Sequence, residues 1–183
     1  RILGILTGRE DRAMAMTERV KRAVAELQAL TAPVQPKKRV YFEAVHSKMK
    51  TFSPDSMAVF ALEAAGGINI AGDALPVRDT NIAAYGKERI LARAADIDVF
   101  LAQSGTMNQP TVELIKAESG FRAIRAVKAD QVFIVDERLV ARPTLRLLDG
   151  IFEIGRVLYP DDFPEKAREI IERGKGGVSK PSS

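Results

Sequence analysis

The sequence predicts an α/β fold in which helices cover both faces of a mostly parallel sheet of four to five strands. Two observations lead to this prediction. Strand-like patterns and helical patterns alternate along almost the whole chain. In addition, the strand patterns at 97–102 and 132–135 are nearly continuous apolar runs, which is typical of strands that are covered on both faces. The expected structure is therefore a Rossmann-like three-layer domain.

Composition sets the broad class of protein. The chain has 183 residues, 46% of them hydrophobic and 28% charged, which is enough for one soluble domain with a buried core. It has no cysteine, and this excludes disulfide bonds and thiolate metal sites. The net charge is +4, but the basic residues are scattered and form no stripe with aromatic residues. Nucleic acid is therefore not an expected partner.

The first predicted elements are a long helix, a strand and a second helix. Apolar residues recur every three to four positions over 9–30, and two prolines then end the helix. A strand rich in β-branched and aromatic residues follows at 39–44. Ser53 predicts the N-cap of the next helix, with Pro54 at its first position and Gly66-Gly67 at its end.

Strand patterns and helical patterns also alternate in the rest of the chain. Prolines mark the starts of its last three helices, because the first helical position does not need an N–H donor. The predicted elements are a short strand at 68–70, a loop at 71–85, a helix at 86–94, a strand at 97–102, a helix at 110–120, a strand at 132–135, and helices that begin at 143 and 164.

Three polar segments follow predicted strands, at 43–51, 103–109 and 136–142. In doubly covered parallel sheets, ligands bind beyond the carboxyl ends of the strands. We therefore expect these segments to line one edge of the domain, together with residues of the long loop before position 86. The candidate ligand-binding residues are Glu43, His46, Met49, Lys50, Arg78, Tyr85, Gln103, Asn108 and Arg142.

The chemistry of these residues leaves several readings open. His46, with a carboxylate and a thioether nearby, is a candidate metal ligand, although a single loop histidine is more often only solvated. Arg142, Arg78 and Tyr85 are candidates for contacts with an anionic ligand or are ordinary surface residues. The sequence contains neither a nucleophile elbow nor a glycine-rich phosphate loop, which argues against hydrolase and nucleotide-dependent chemistry.

Three stretches resemble one family, the ABC-transporter solute-binding proteins of the iron-siderophore, haem and vitamin B12 class. The stretch YGKERILARAADIDVFLAQSG resembles a family pattern in which an acid opens a helix and an aspartate precedes an apolar strand. VYFEAVHSKMKTFSPDSMAVFALEAAGGINIA is similar to the first strand and helix of the second lobe. RAVKADQVFIVDERLVARPTLRLLDGIFEIGRVLYPDDF is similar to the C-terminal end of the family.

The resemblance implies a domain organisation. Members of the family have two α/β lobes that are joined by one helix and hold the ligand between them. Residues 1–32 would then be the interlobe helix, 37–174 the C-terminal lobe and 175–183 a disordered tail. The N-terminal lobe would be missing from this chain. Glu88 would be the acid that docks on an arginine of the membrane permease.

The resemblance also implies a function as a binding protein and not an enzyme. The expected ligand is an iron complex, either a siderophore or haem, or a related metal chelate, which the protein delivers to ABC permease subunits. Cobalamin, another corrinoid or an oxyanion is an alternative ligand. A flavodoxin-like enzyme domain that uses a nucleotide or flavin is an alternative of another class. No intrinsic cofactor is expected, and the expected location is periplasmic or otherwise extracytoplasmic, with or without an upstream lipid anchor.

Overall fold

The computed structural model of the chain describes residues 2–78, 80–106 and 108–176. Helices and strands alternate through most of this length, as the sequence predicts. The helices are α1 (Ile2–Leu6), α2 (Glu10–Thr31), α3 (Met57–Ala64), α4 (Lys87–Ala92), α5 (Val112–Ala117), α6 (Arg125–Lys128), α7 (Glu137–Val140), α8 (Leu147–Leu158) and α9 (Phe163–Lys175). The strands are β1 (Arg39–Val45), β2 (Lys50–Phe52), β3 (Ile68–Asn69), β4 (Leu75–Pro76), β5 (Ile82–Ala84), β6 (Val99–Ser104) and β7 (Val132–Asp136).

One sheet contains all of these strands, in the order β4-β5-β2-β1-β6-β7, and β3 pairs with β1 outside this path. The long strands β1, β6 and β7 are parallel to one another, whereas β2, β4 and β5 form antiparallel pairs. The α/β fold class with a mostly parallel sheet is confirmed. The sheet has seven strands and not four to five, because three strands of two or three residues lie in segments that the sequence analysis assigned to polar loops.

Two buried clusters, one on each face of the sheet, give the three layers. Phe42 and Leu101 point towards α2, α3, α8 and α9, and belong to the larger cluster. Tyr41 and Phe100 point the other way, towards α4, α5 and α6. Successive side chains of a strand point to opposite faces, so β1 and β6 supply apolar residues to both clusters. Each fully buried large side chain contributes roughly 1.5–3 kcal/mol to the stability of the lobe.

The helix α2 packs on the lobe only through its second half. Its buried residues are Ala23, Leu27 and Thr31, whereas the segment 10–22 is largely exposed. At 1.5 Å per residue, this exposed part is roughly 20 Å long. Before it, Gly8 has a positive φ of 64° and separates α1 from α2, so the predicted interlobe segment consists of two helices.

Two predicted helix starts are wrong. The helix α3 begins at Met57 and not after Ser53, because the hydroxyl of Ser56 accepts the N-cap hydrogen bond from the backbone N–H of Val59 at 3.2 Å. Pro54 lies in the preceding turn. The last long apolar helix begins at Leu147 and not at position 143.

The predicted polar loop at 136–142 contains the short helix α7. The side chain of Asp136 caps this helix by accepting a hydrogen bond from the backbone N–H of Arg138 at 2.8 Å. At the other end of the chain, α9 continues through Lys175 and ends at Gly176, which has a positive φ of 79°. The predicted tail therefore does not begin at 175, and its remaining residues, 177–183, lie outside the described residues.

Candidate functional site

The carboxyl ends of the parallel strands lie side by side at one edge of the lobe, which we call the carboxyl rim. The strand β5 is antiparallel to β2, and β2 is antiparallel to β1, so β5 and β1 run in the same direction. Ala84 pairs with Lys50, and Lys50 pairs with Val45. Further along the rim, Ser104 of β6 pairs with Asp136 of β7. The three predicted polar segments thus share one edge, as the sequence analysis expected.

In the middle of the carboxyl rim, Asn108 connects two segments through hydrogen bonds. Its Oδ1 atom accepts a hydrogen bond from the backbone N–H of His46 at 3.1 Å. Its Nδ2 atom donates to the carbonyl oxygens of Ala44, at 3.1 Å, and Gln103, at 2.7 Å. The Nε2 atom of Gln103 also donates to Ala44, at 3.2 Å. The structure therefore brings three of the predicted site residues together, and the side-chain amides of Asn108 and Gln103 donate to the protein's own backbone.

Glu43 and His46 form a buried pair below the rim. The side chain of Glu43 is 0% exposed, and its Oε1 atom lies 2.9 Å from Nδ1 of His46, whose side chain is 8% exposed. Burial raises the pKa of Glu43, against the lowering effect of His46. The hydrogen bond to Glu43 raises the pKa of His46.

This geometry corrects the prediction that Glu43 faces a ligand, because its carboxylate points into the protein interior. It also weighs against His46 as a metal ligand. One nitrogen of its ring is engaged by Glu43. In the part of the chain that the structure describes, no group of three or more His, Cys, Asp or Glu residues could hold a metal ion.

Met49 and Lys50 lie between the buried pair and α4. Met49 has a positive φ of 48° and packs against the core cluster around Tyr41. Its carbonyl oxygen accepts a hydrogen bond from the backbone N–H of Gly86 at 3.0 Å. Lys50 is half-buried at the rim itself and remains a candidate for ligand contact.

Arg78 and Tyr85 do not join this site. Arg78 lies in the turn that precedes β5, at the opposite end of that strand from the rim. Tyr85 is only 6% exposed. Its ring packs 5.6 Å from the ring of Tyr41, and the guanidinium of Arg89 lies 4.4 Å above its face. The structure therefore does not bring Arg78 and Tyr85 to the carboxyl rim, and ligand contact by either residue stays a prediction.

An arginine-rich cavity lies at the β7 end of the rim. It has a volume of about 650 Å³ and is lined by Arg138, Arg142 and Arg146, with Thr106 and Glu137. A second open cavity, of about 740 Å³, shares Thr106, Glu137 and Arg138 with the first. Arg142 was predicted from the sequence, whereas the other residues were missed. The signal was present, since an arginine occurs at every fourth position of this segment.

The three arginines differ in their partners. The Nε of Arg138 donates to Oδ1 of Asp136 at 3.1 Å, and Nη2 donates to Oδ2 at 2.6 Å. This pairing holds the pKa of Asp136 below its usual range. Arg142 and Arg146 are exposed, and their guanidinium groups have no hydrogen bond or ion pair with any residue that the structure describes. The cavity therefore offers two available guanidinium groups, which suits a carboxylate or another anionic ligand.

Glu88 lies at the other end of the rim. It is an exposed residue in the first turn of α4, directly after β5. Three strands separate β5 from β7, so about 19 Å of sheet lies between this acid and the arginine-rich cavity, at about 4.8 Å per strand. The rim thus has an acidic side chain at one end and available cations at the other.

Solved structures with the same fold are solute-binding proteins. One is described as a possible iron-binding (periplasmic solute-binding) protein from Staphylococcus epidermidis ATCC 12228, with a TM-score of 0.72, 27% identity, and coverage of 86% of this chain and 58% of that one. Another is the periplasmic heme-binding protein RhuT from Roseiflexus sp. RS-1, with a TM-score of 0.71, 18% identity, and coverage of 91% and 61%. The chain thus spans less than two thirds of either protein.

The sequence comparisons agree with the fold. A 51-residue segment is 39% identical to the uncharacterized ABC transporter substrate-binding lipoprotein YvrC of Bacillus subtilis (strain 168), and covers 28% of this chain and 16% of that protein. The profile of the periplasmic binding protein family matches residues 1–139. The chain belongs to this family. Among the described residues, no helix has both the length and the apolar character that crossing a membrane requires.

Proposed function

We propose that the full-length protein is the solute receptor of an ABC importer and that it captures an anionic metal chelate between two lobes. The observation that carries this proposal is the pair of available arginines, Arg142 and Arg146, in a cavity of about 650 Å³ at the carboxyl rim. Ligands of open α/β sheets bind at this edge. A chelate with carboxylate or catecholate groups on its periphery would present acceptors to both guanidinium groups.

The ligand class rests on the relatives as well as on the charge of the cavity. The Staphylococcus protein is described as possibly iron-binding and the Roseiflexus protein as heme-binding. Haem carries two propionate groups, and ferric complexes of catecholate or carboxylate siderophores carry negative charge. An iron chelate or haem is therefore the preferred ligand, with cobalamin or another corrinoid and a simple oxyanion as alternatives. The ligand is cargo, and we assign no intrinsic cofactor and no catalytic residue.

Titration of the full-length protein with defined ligands tests the proposal. The probes are haem, a ferric hydroxamate, a ferric catecholate, cyanocobalamin and phosphate, with intrinsic fluorescence or absorbance as the readout. We expect tight binding of one iron complex and a loss of tenfold or more in affinity for the Arg142→Ala, Arg146→Ala double variant. Arg122→Ala is the matched control, because Arg122 is an exposed arginine in the 3-10 turn at 121–123, away from the rim. Unchanged affinity in the double variant would refute the assignment of the cavity.

Glu88 is the proposed contact with the permease. Its side chain is exposed at the rim, where it has no ion pair with a residue in the described ranges. An exposed carboxylate of this kind is suited to an arginine on a partner protein. We expect Glu88→Lys to abolish solute uptake by cells while the purified receptor keeps its ligand affinity. Loss of ligand affinity with normal uptake would contradict the assignment. A periplasmic or other extracytoplasmic location follows from this role, and the lipoprotein relative favours a lipid anchor.

The flavodoxin-like alternative has less support. A nucleotide or flavin enzyme of this fold class binds phosphate through a glycine-rich loop, which the sequence does not contain. The carboxyl rim instead carries a hydrogen-bonded turn and the arginine-rich cavity. An absorbance spectrum of the purified full-length protein distinguishes the two readings, because a bound flavin absorbs near 450 nm and would be released on denaturation.

A further inference from the structure

The charges around Glu88 do not by themselves favour a cationic partner. The helix α4 and its C-cap residue carry three basic side chains, Lys87, Arg89 and Arg93, and one acidic side chain, Glu88. A cation that approached Glu88 would meet more positive than negative charge from this segment. Attraction to Glu88 is therefore stronger when other residues offset the positive charge of these basic groups.

Two acids outside α4 pair with these groups and lower their combined charge from +3 to +1. The Oδ2 atom of Asp73 accepts hydrogen bonds from Nη2 of Arg89 at 2.7 Å and from Nη2 of Arg93 at 3.2 Å. The Oε1 atom of Glu118 accepts a hydrogen bond from Nζ of Lys87 at 2.5 Å. Each basic side chain of the segment thus has an acidic partner.

The guanidinium of Arg89 is also held at a second point. It lies 4.4 Å above the ring of Tyr85, which is itself buried against Tyr41. A planar guanidinium that both stacks on an aromatic ring and pairs with a carboxylate has little freedom to turn towards a neighbouring acid. The contacts of Arg89 therefore hold its guanidinium at Asp73 and Tyr85, away from Glu88.

We propose that Asp73 and Glu118 are positioning residues for docking on the permease. By pairing with Lys87, Arg89 and Arg93, they lower the positive charge beside Glu88 and leave Glu88 as the charged side chain of this segment that has no ion pair with a described residue. This inference rests on the proposed function, because it assumes that Glu88 is the docking acid. It adds two residues that would act on docking without contacting the solute.

The test measures docking of the full-length receptor on its cognate permease in nanodiscs, by biolayer interferometry without added ligand. We expect Asp73→Asn to weaken docking about threefold at low salt, because the substitution adds one unit of positive charge close to Glu88. The loss should appear mainly in the association rate and disappear at about 0.5 M salt, because free ions screen exposed charges. Ligand affinity and melting temperature should not change.

Asp96→Asn is the matched control. Asp96 is 53% exposed and pairs with Arg39 at 2.6 Å, whereas Asp73 is 50% exposed and pairs with Arg89 at 2.7 Å. Asp96 precedes β6 and therefore lies at the opposite end of the sheet from the carboxyl rim. The same change of charge at this site should leave docking unchanged.

Compensating changes separate a charge effect from a structural one. In the Asp73→Asn background, the added substitutions Arg89→Gln and Arg93→Gln should restore docking, and the conservative variant Asp73→Glu should keep it. The inference is overturned if Asp73→Asn docks as well as the wild type at low salt. It is also overturned if adding Arg89→Gln and Arg93→Gln to Asp73→Asn does not restore docking. In both cases the proposed function stands. If the wild-type receptor does not dock, or if Glu88→Gln leaves docking unchanged, the proposed function fails and the inference fails with it.

Discussion

Removal of His46 should strongly destabilise the lobe, because it would leave the carboxylate of Glu43 buried without a partner. The carboxylate is 0% exposed, and its hydrogen bond to His46 is 2.9 Å long. Its second oxygen, Oε2, has no hydrogen-bond partner among the described residues. Breaking a buried charged pair on one side costs about 3–5 kcal/mol. We expect about 3 kcal/mol for His46→Ala, because Glu43 can relieve part of this cost by binding a proton.

The stability contributed by Glu43 and His46 should depend on pH. The folded-state pKa values of Glu43 and His46 both lie above their ordinary values of 4.5 and 6.5. A raised pKa means that the folded state binds the proton more tightly, so this contribution is complete below the ordinary pKa and is lost as the pH rises through the folded-state pKa. The free energy of unfolding should therefore fall as the pH rises above about 4.5, because of Glu43, and fall further above about 6.5, because of His46.

Urea unfolding of the chain at pH 5 and pH 8, followed by circular dichroism, measures these free energies. Glu63→Gln, which changes an exposed glutamate on α3, controls for the general effect of removing a carboxylate. The Glu43→Gln, His46→Ala double variant should lose most of the pH dependence. A loss below 0.5 kcal/mol for His46→Ala at both pH values, or a wild-type free energy of unfolding that does not fall between pH 5 and pH 8, would refute the reasoning.

Three further outcomes follow from the structure. Ser56→Ala removes the side-chain N-cap of α3 and should lower the free energy of unfolding by about 1 kcal/mol, whereas Ser53→Ala should have a smaller effect on α3. Gly66→Ala should cost about 1–3 kcal/mol in urea unfolding, because Gly66 has a φ of 83° and an added Cβ would overlap the side chain of Thr31. The isolated chain should bind the ligand of the full-length receptor at least 100-fold more weakly in a parallel titration, because it offers one wall of the cleft, and equal affinities would count against a shared cleft.

Periodicity was sufficient to predict the long elements of the fold. The strand pattern at 39–44 corresponds to β1, and the helical pattern at 9–30 corresponds to α2. These segments are predictable because each has one apolar face or is buried on both faces, and the core that they form determines their conformation. The short strands β2, β4 and β5 were missed because two or three residues carry no readable period. Pairing with neighbouring strands makes them part of the sheet, and that is tertiary information.

The carboxyl rim was only partly predictable. The rule that ligands bind beyond strand ends placed Asn108 and Arg142 at the same edge. It did not distinguish Arg142, which is available, from Glu43, which is buried. The reason is that Glu43 lies within the register of β1, two residues after Tyr41 and on the same face of the sheet. A polar residue at an inward position looks like the start of a loop in the sequence, whereas the structure pairs it with His46.

The distribution of hydrogen bonds along the rim has a consequence for binding. In the middle, Asn108 makes three hydrogen bonds that hold the turn after β1 against the loop after β6. At the two ends, Arg142 and Glu88 have no such partners within the described structure. Loops that become ordered only on binding consume part of the binding free energy, whereas a preorganised surface does not. Under the proposed function, a fixed centre with available charges at its ends would let the rim contact a solute near β7 and a membrane partner near α4, without ordering either segment first.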